Sequence, residues 1–132
     1  AAMPTFMDLV KQAESEIKTI SVEEAKKLHG RAEVVFVDVR DHRELEREGK
    51  VPGAFNAPRG MLEFWIDPTS PYYKPVFAPE KQFVFYCAAG WRSALSTQTA
   101  QVLGLKNVCH IAGGFGAWAK EGGAVEQLAK KP

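Results

Sequence analysis

The chain has 132 residues, 45% hydrophobic and 25% charged, enough core for one globular domain and incompatible with wholesale disorder. Its 17 Lys and Arg stand against 16 Asp and Glu, a net charge of +1, which excludes the strongly basic surface of a nucleic-acid binder. Two cysteines, Cys87 and Cys109, are too few for a disulfide scaffold and form no zinc-type pair, so reduced thiols, no bound metal and a reducing, cytoplasmic compartment are expected.

Ala1-Ala2 ahead of Met3 reads as a cloning remnant or the start of a processed chain, and the N-terminus lacks the charged-then-apolar pattern of a signal peptide. Apolar residues at Phe6, Leu9, Val10, Ala13 and Ile17 predict a helix over 5–17 with Thr5 as its cap. Ser21-Val22-Glu23-Glu24 is a capping box, opening a short helix that runs to His29 and stops at Gly30. Val34 to Val39 is nearly continuous, β-branched and apolar, the signature of a strand buried on both faces. A charged helix over 41–48 ends at Gly49, and residues 54–57 form a short strand limited by Pro58. A short aromatic helix is expected over 61–66, and residues 67–80, with four prolines, form a loop. Phe83 to Cys87 is a second strong strand, a helix follows over 92–103, Val108 to Ile111 is a third, and Gly113-Gly114 turns into a last helix around Phe115 and Trp118. From Gly122 onward the chain is expected to be weakly anchored. No apolar run reaches the ~18 residues that cross a bilayer, so no membrane partner is expected. Strands alternating with helices predict an α/β domain with a parallel sheet and right-handed crossovers.

Ligands of open parallel sheets bind beyond the C-terminal ends of the strands. Cys87 ends the second strong strand, the small residues Ala88, Ala89 and Gly90 follow, and Trp91, Arg92 and Ser93 open a helix. A helix N-terminus favours thiolate, free loop amides converge on an anion, and Arg92 adds positive charge. Ser93 caps the helix or donates a further hydrogen bond. The competing reading is a small buried hydrophobe at a strand end.

Cys87-Ala88-Ala89-Gly90-Trp91-Arg92-Ser93 resembles the C-x-x-G-x-R-S active-site loop of rhodanese-like sulfurtransferases. Val37-Asp38-Val39-Arg40 followed by Gly49 to Asn56 resembles the family's D-x-R … G-H-I-P-G-A-x-N segment, with Lys50 in place of His. Gly113-Gly114-Phe115-Gly116-Ala117-Trp118 resembles its closing G-G-x-x-A-W element. The resemblance implies a rhodanese-like three-layer fold, with a five-stranded parallel sheet flanked by helices on both faces. It divides the chain into an N-terminal helical extension over 1–19, the domain over 20–122 and a tail over 123–132. It further implies a sulfurtransferase without cofactor. Cys87 would be the catalytic, accessible thiol, with a small anionic sulfur donor such as thiosulfate and a thiol or cyanide as acceptor; a protein sulfur acceptor is the alternative partner.

Ala88, Ala89, Gly90, Trp91, Arg92 and Ser93 are then the donor-binding loop, and Asp38 and Arg40 support it. Arg59 attracts the anionic donor or is a solvated charge. Trp91 closes over the site or packs on a neighbouring helix. Cys109 reads as inert, and His29, His42 and His110 form no recognisable arrangement. A cysteine phosphatase or arsenate reductase also uses a Cys-loop-Arg cradle, but with five residues between Cys and Arg where this chain has four, and Tyr86 stands where many such phosphatases carry His.

Overall fold

The computed structural model describes residues 3–129, so Ala1-Ala2 and the end of the expected tail lie outside the described residues. Five strands form one sheet: β1 (Lys18–Ile20), β2 (Val34–Asp38), β3 (Phe55–Asn56), β4 (Gln82–Tyr86) and β5 (Val108–Ile111). Their order is β1-β5-β4-β2-β3 and every pairing is parallel. The helices are α1 (Phe6–Glu16), α2 (Val22–Leu28), α3 (His42–Glu48), α4 (Leu62–Ile66), α5 (Trp91–Val102) and α6 (Gly114–Lys120). Single 3-10 turns lie at Arg59–Met61 and Pro75–Phe77. No helix among the described residues is long and apolar enough to cross a membrane.

Strand alternation sorts the core into two layers. Val84 and Tyr86 of β4 join Ile20, Phe36, Phe115 and Trp118 on one face. Phe83, Phe85 and the adjoining Cys87 join Val37, Leu62, Phe77 and Ala100 on the other. Helix α1 adds to this second side from outside, packing Val10 and Ala13 on Ala94 of α5.

The fifth strand escapes the sequence reading because it is short and polar. Of Lys18, Thr19 and Ile20 only Ile20 is buried, and β1 is an edge strand paired to β5 alone. The expected boundary between residues 19 and 20 therefore falls inside β1.

The tail departs from expectation. Glu126 and Lys50 exchange backbone hydrogen bonds in both directions at 3.0 and 2.8 Å, and the Glu126 carboxylate accepts from Gly53 N at 3.1 Å. Trp118 Nε1 donates to Ala124 O at 2.7 Å. The segment up to Glu126 is thus tied to the turn at 50–53. Lys50 serves that turn itself, its Nζ donating to Ala54 O at 3.0 Å.

From β2 the chain steps outward to β3, whereas from β4 it steps the opposite way to β5. The crevice between the C-terminal ends of β2 and β4 is the topological switch point, where ligands of such sheets bind. Asp38–Arg40 and Cys87 stand on its two sides.

The Ser21 capping box forms as expected: Glu24 N donates to Ser21 Oγ at 3.1 Å and Ser21 N to the Glu24 carboxylate at 3.5 Å. Ser21→Ala should lower unfolding stability by about 1 kcal/mol, read as a lower urea midpoint with an unchanged m-value.

Candidate active site

Gly90 is the N-cap of α5 and has φ +112°, a left-handed conformation that a side chain would strain. This turn swings the start of α5 back over the end of β4. Gly90 N–H and Ser93 N–H both donate to Cys87 Sγ, at 3.1 and 3.3 Å. First-turn amides have no partner within the helix. Gly90 offers no capping side chain, so the sulfur takes that place.

The loop carbonyls point the other way. Cys87 O accepts from Phe115 N at 2.7 Å and Ala88 O from Gly116 N at 3.1 Å, both in the first turn of α6. Gly114 permits this approach, since a Cβ there would lie 2.4 Å from Cys87 O. The second glycine of the Gly113-Gly114 pair is therefore required by backbone-to-backbone packing. Amides inward, carbonyls outward and a helix N-terminus behind the sulfur together stabilise negative charge on it.

Cys87 is only 1% exposed. The expected accessible thiol is corrected on this point: the sulfur is cupped by amides and also covered.

The other expected residues distribute unevenly. Ser93 is buried, and its Oγ lies 3.5 Å from Cys87 Sγ. Arg92 does not hydrogen-bond the sulfur; its guanidinium pairs with Glu44 of α3 at 3.1 Å, linking two helices across the crevice. Trp91 is half exposed and packs on Phe6 of α1, with ring centroids 5.1 Å apart. Ala88 is half-buried and Ala89 exposed, and neither amide is bonded to the sulfur. Arg59 bonds Glu63 and Thr99 at 3.2 and 3.3 Å, bridging α4 and α5 rather than reaching the loop.

Asp38 and Arg40 form a fully buried, two-pronged ion pair, with Arg40 Nη2 and Nε donating to the carboxylate at 2.8 and 3.0 Å. Burial opposes the guanidinium charge, but the bonds and charge of Asp38 outweigh it and raise Arg40 above its ordinary value. The guanidinium lies 4.4 Å from the Phe115 ring centroid. Phe115 N holds Cys87 O, so the pair braces the loop through α6.

His110 was not legible as a site residue. The register sets it opposite Phe85 of β4 and Thr19 of β1, on the face that carries Cys87. Its Nδ1 is 2.9 Å from Ser93 Oγ and its Nε2 is 3.0 Å from Thr19 Oγ1. The signal that could have found it is a histidine inside the otherwise apolar run Val108 to Ile111, because a buried ring needs polar partners. Burial pushes His110 down to about 4. On the opposite sheet face, burial pushes the Cys109 thiol up to about 11, leaving it protonated at neutral pH. Among the described residues no group of His, Cys, Asp and Glu could hold a metal.

A parallel α/β sheet whose central strand runs into a cysteine at the switch point, with two helix-terminal amides directed at its sulfur, is the arrangement the chain presents. The chain belongs to the rhodanese-like family: the model of the rhodanese-like domain matches residues 21–121. A mouse thiosulfate sulfurtransferase/rhodanese-like domain-containing protein is 30% identical over 106 residues, covering 76% of this chain and 68% of that protein. Human thiosulfate:glutathione sulfurtransferase is 29% identical over 109 residues, covering 78% and 94%. Among solved structures, a Rhodopseudomonas palustris protein of unknown function, described as a possible tyrosine phosphatase, superposes with a TM-score of 0.91. It is 54% identical and covers 96% of this chain and 97% of its own.

Gly114→Ala should destabilise the fold by about 2–4 kcal/mol, because the new Cβ meets backbone that cannot yield; thermal unfolding measures the loss. His110 binds a proton more readily unfolded, near its ordinary value of about 6.5, than folded, near 4. Its contribution is therefore complete above pH ~6.5 and is lost as pH falls toward 4, by roughly 3 kcal/mol in all. His110→Asn should remove that component from the pH dependence of unfolding.

Proposed function

We propose that the protein is a thiosulfate-type sulfurtransferase that carries sulfur as a Cys87 persulfide. The observation that supports this most directly is the pair of backbone amides at 3.1 and 3.3 Å from Cys87 Sγ. Family membership and the names of the mouse and human relatives agree with it.

In the first half-reaction the Cys87 thiolate attacks the outer sulfur of thiosulfate. The Sγ–S bond forms as the S–SO3 bond breaks, and sulfite leaves with the electron pair. In the second, cyanide or a thiolate attacks the outer persulfide sulfur, and Cys87 leaves as thiolate. This is two-step covalent catalysis. Charge leaves Cys87 in the first step and returns in the second, and the Gly90 and Ser93 amides lower the cost of its return. No organic cofactor or metal takes part in either step. Because Cys87 is 1% exposed, the donor reaches it when the Ala88–Ala89–Gly90 segment gives way. Trp91, Arg92 and Ser93 border that opening. Arg92 is paired with Glu44 and Arg59 with Glu63, so the backbone amides, more than a free guanidinium, receive the anionic donor. A protein thiol is an equally suitable acceptor, and a reducing cytoplasm suits a free thiol.

The description of the Rhodopseudomonas palustris relative raises a phosphatase as the second reading. Four residues separate Cys87 from Arg92, and the guanidinium is engaged by Glu44, so the loop suits one sulfur atom better than a tetrahedral oxyanion.

Thiosulfate should make the intact protein one sulfur atom heavier, and cyanide should reverse this with release of thiocyanate. Cys87→Ser should do neither, and no aryl phosphate should be hydrolysed. Unchanged mass together with Cys87-dependent aryl phosphate hydrolysis would replace this reading with the phosphatase.

A further inference from the structure

A continuous row of polar contacts leads away from the buried sulfur. Cys87 Sγ lies 3.5 Å from Ser93 Oγ, Ser93 Oγ 2.9 Å from His110 Nδ1, and His110 Nε2 3.0 Å from Thr19 Oγ1. Cys87, Ser93 and His110 are at most 2% exposed, whereas Thr19 is exposed. The row thus runs from a sealed sulfur, beneath α5 and across β5, to solvent at the edge strand.

We propose that His110 is a positioning residue for the Cys87 sulfur: held between Thr19 and Ser93, its ring orients the Ser93 hydroxyl and joins the covered sulfur to solvent by a proton path. The proposal deepens the sulfurtransferase reading and rests on Cys87 as its nucleophile.

Each member has one donor and one acceptor to give, so the row has two consistent orderings. With the sulfur as thiol, Sγ–H donates to Ser93 Oγ, Ser93 O–H to His110 Nδ1, and His110 Nε2–H to Thr19 Oγ1. With the sulfur as thiolate, every bond reverses: Thr19 O–H donates to Nε2, Nδ1–H to Ser93 Oγ, and Ser93 O–H to Sγ. Passing from the first to the second moves the sulfur's proton to Ser93, that of Ser93 to Nδ1, that of Nε2 to Thr19, and that of Thr19 to water. One proton leaves, one negative charge appears on sulfur, and His110 exchanges tautomers while staying neutral at both ends. Burial, which favours the neutral ring, agrees with this. In the thiolate ordering the sulfur gains a third donor beside the Gly90 and Ser93 amides.

The surrounding charges are few and engaged elsewhere. Lys18 of β1 is exposed, Arg92 of α5 is held by Glu44 of α3, and Glu16 of α1 bonds Gln98 and Gln101 of α5. Among the described residues no charged side chain hydrogen-bonds Thr19, His110 or Ser93.

The test is the pH dependence of alkylation by iodoacetamide, read at Cys87 by peptide mass on the full chain, with unfolding temperatures recorded in parallel. His110→Phe should move the alkylation midpoint upward, slowing reaction about tenfold at a fixed pH below it, as expected for one lost donor to an anion. His110→Asn, whose side-chain N–H2 stands in for Nδ1–H, should restore most of the rate. Thr19→Val, at an exposed position, should move the midpoint in the same direction and keeps the test available if His110→Phe folds poorly. In a Ser93→Ala background, His110→Phe should change nothing further. A midpoint unmoved in both His110→Phe and Thr19→Val, or an undiminished shift in the Ser93→Ala background, overturns the proposal. Alkylation uses no sulfur donor: shifted midpoints without thiosulfate-dependent mass gain would refute the sulfurtransferase reading and leave the proton path standing.

Discussion

The helix N-terminus of α5 lacks a side-chain cap, and a sulfur atom fills the vacancy. Gly90 can turn the chain but has nothing to offer the amide of Ser93, which finds Cys87 Sγ at 3.3 Å. An orphan donor at a helix start must find an acceptor or lose stability. Here the acceptor is the proposed nucleophile, so the bond that completes the helix would also stabilise charge on the sulfur. Folding and chemistry draw on the same contact.

That contact depends on the loop carbonyls facing away. The first turn of α6 takes Cys87 O and Ala88 O through Phe115 and Gly116 amides, and only a glycine at 114 lets the two backbones come so near. Phe115 in turn lies against Arg40, which is locked to Asp38 at the end of β2. Three segments distant in sequence thus meet around one peptide loop. A buried ion pair is seldom a net gain in stability over a hydrophobic substitute. Here its guanidinium also packs on Phe115, 4.4 Å from the ring centroid, the residue whose amide holds Cys87 O.

Burial of the sulfur has two consequences for function. On the proposed reading a donor must displace the short segment of small residues that covers Cys87, beside half-exposed Trp91 and the Arg92–Glu44 pair. A proton leaving the sulfur has no direct contact with water, and the polar row through Ser93 and His110 is the connection the fold provides.

Much of this was legible in the chain itself. A continuous β-branched apolar run marked β2, a strongly apolar aromatic run marked β4 and a short run, Val108 to Ile111, marked β5, as strands buried on both faces require. Ser21 and Glu24 marked the start of α2 because capping is local chemistry, and Cys87 through Ser93 marked the site because strand, small-residue turn and helix start follow one another within seven positions. What only the tertiary structure decided was every relation set by strand order. β1 is three mostly polar residues that become a strand by pairing with β5, the tail is held by Lys50 some seventy-odd residues earlier, and Arg92 turns to Glu44. His110 stands at the sulfur's back because the register aligns it with Phe85 and Thr19. Local patterns follow from neighbours along the chain; which side chain faces a distant one follows from how the sheet is assembled, and no spacing in the sequence encodes that.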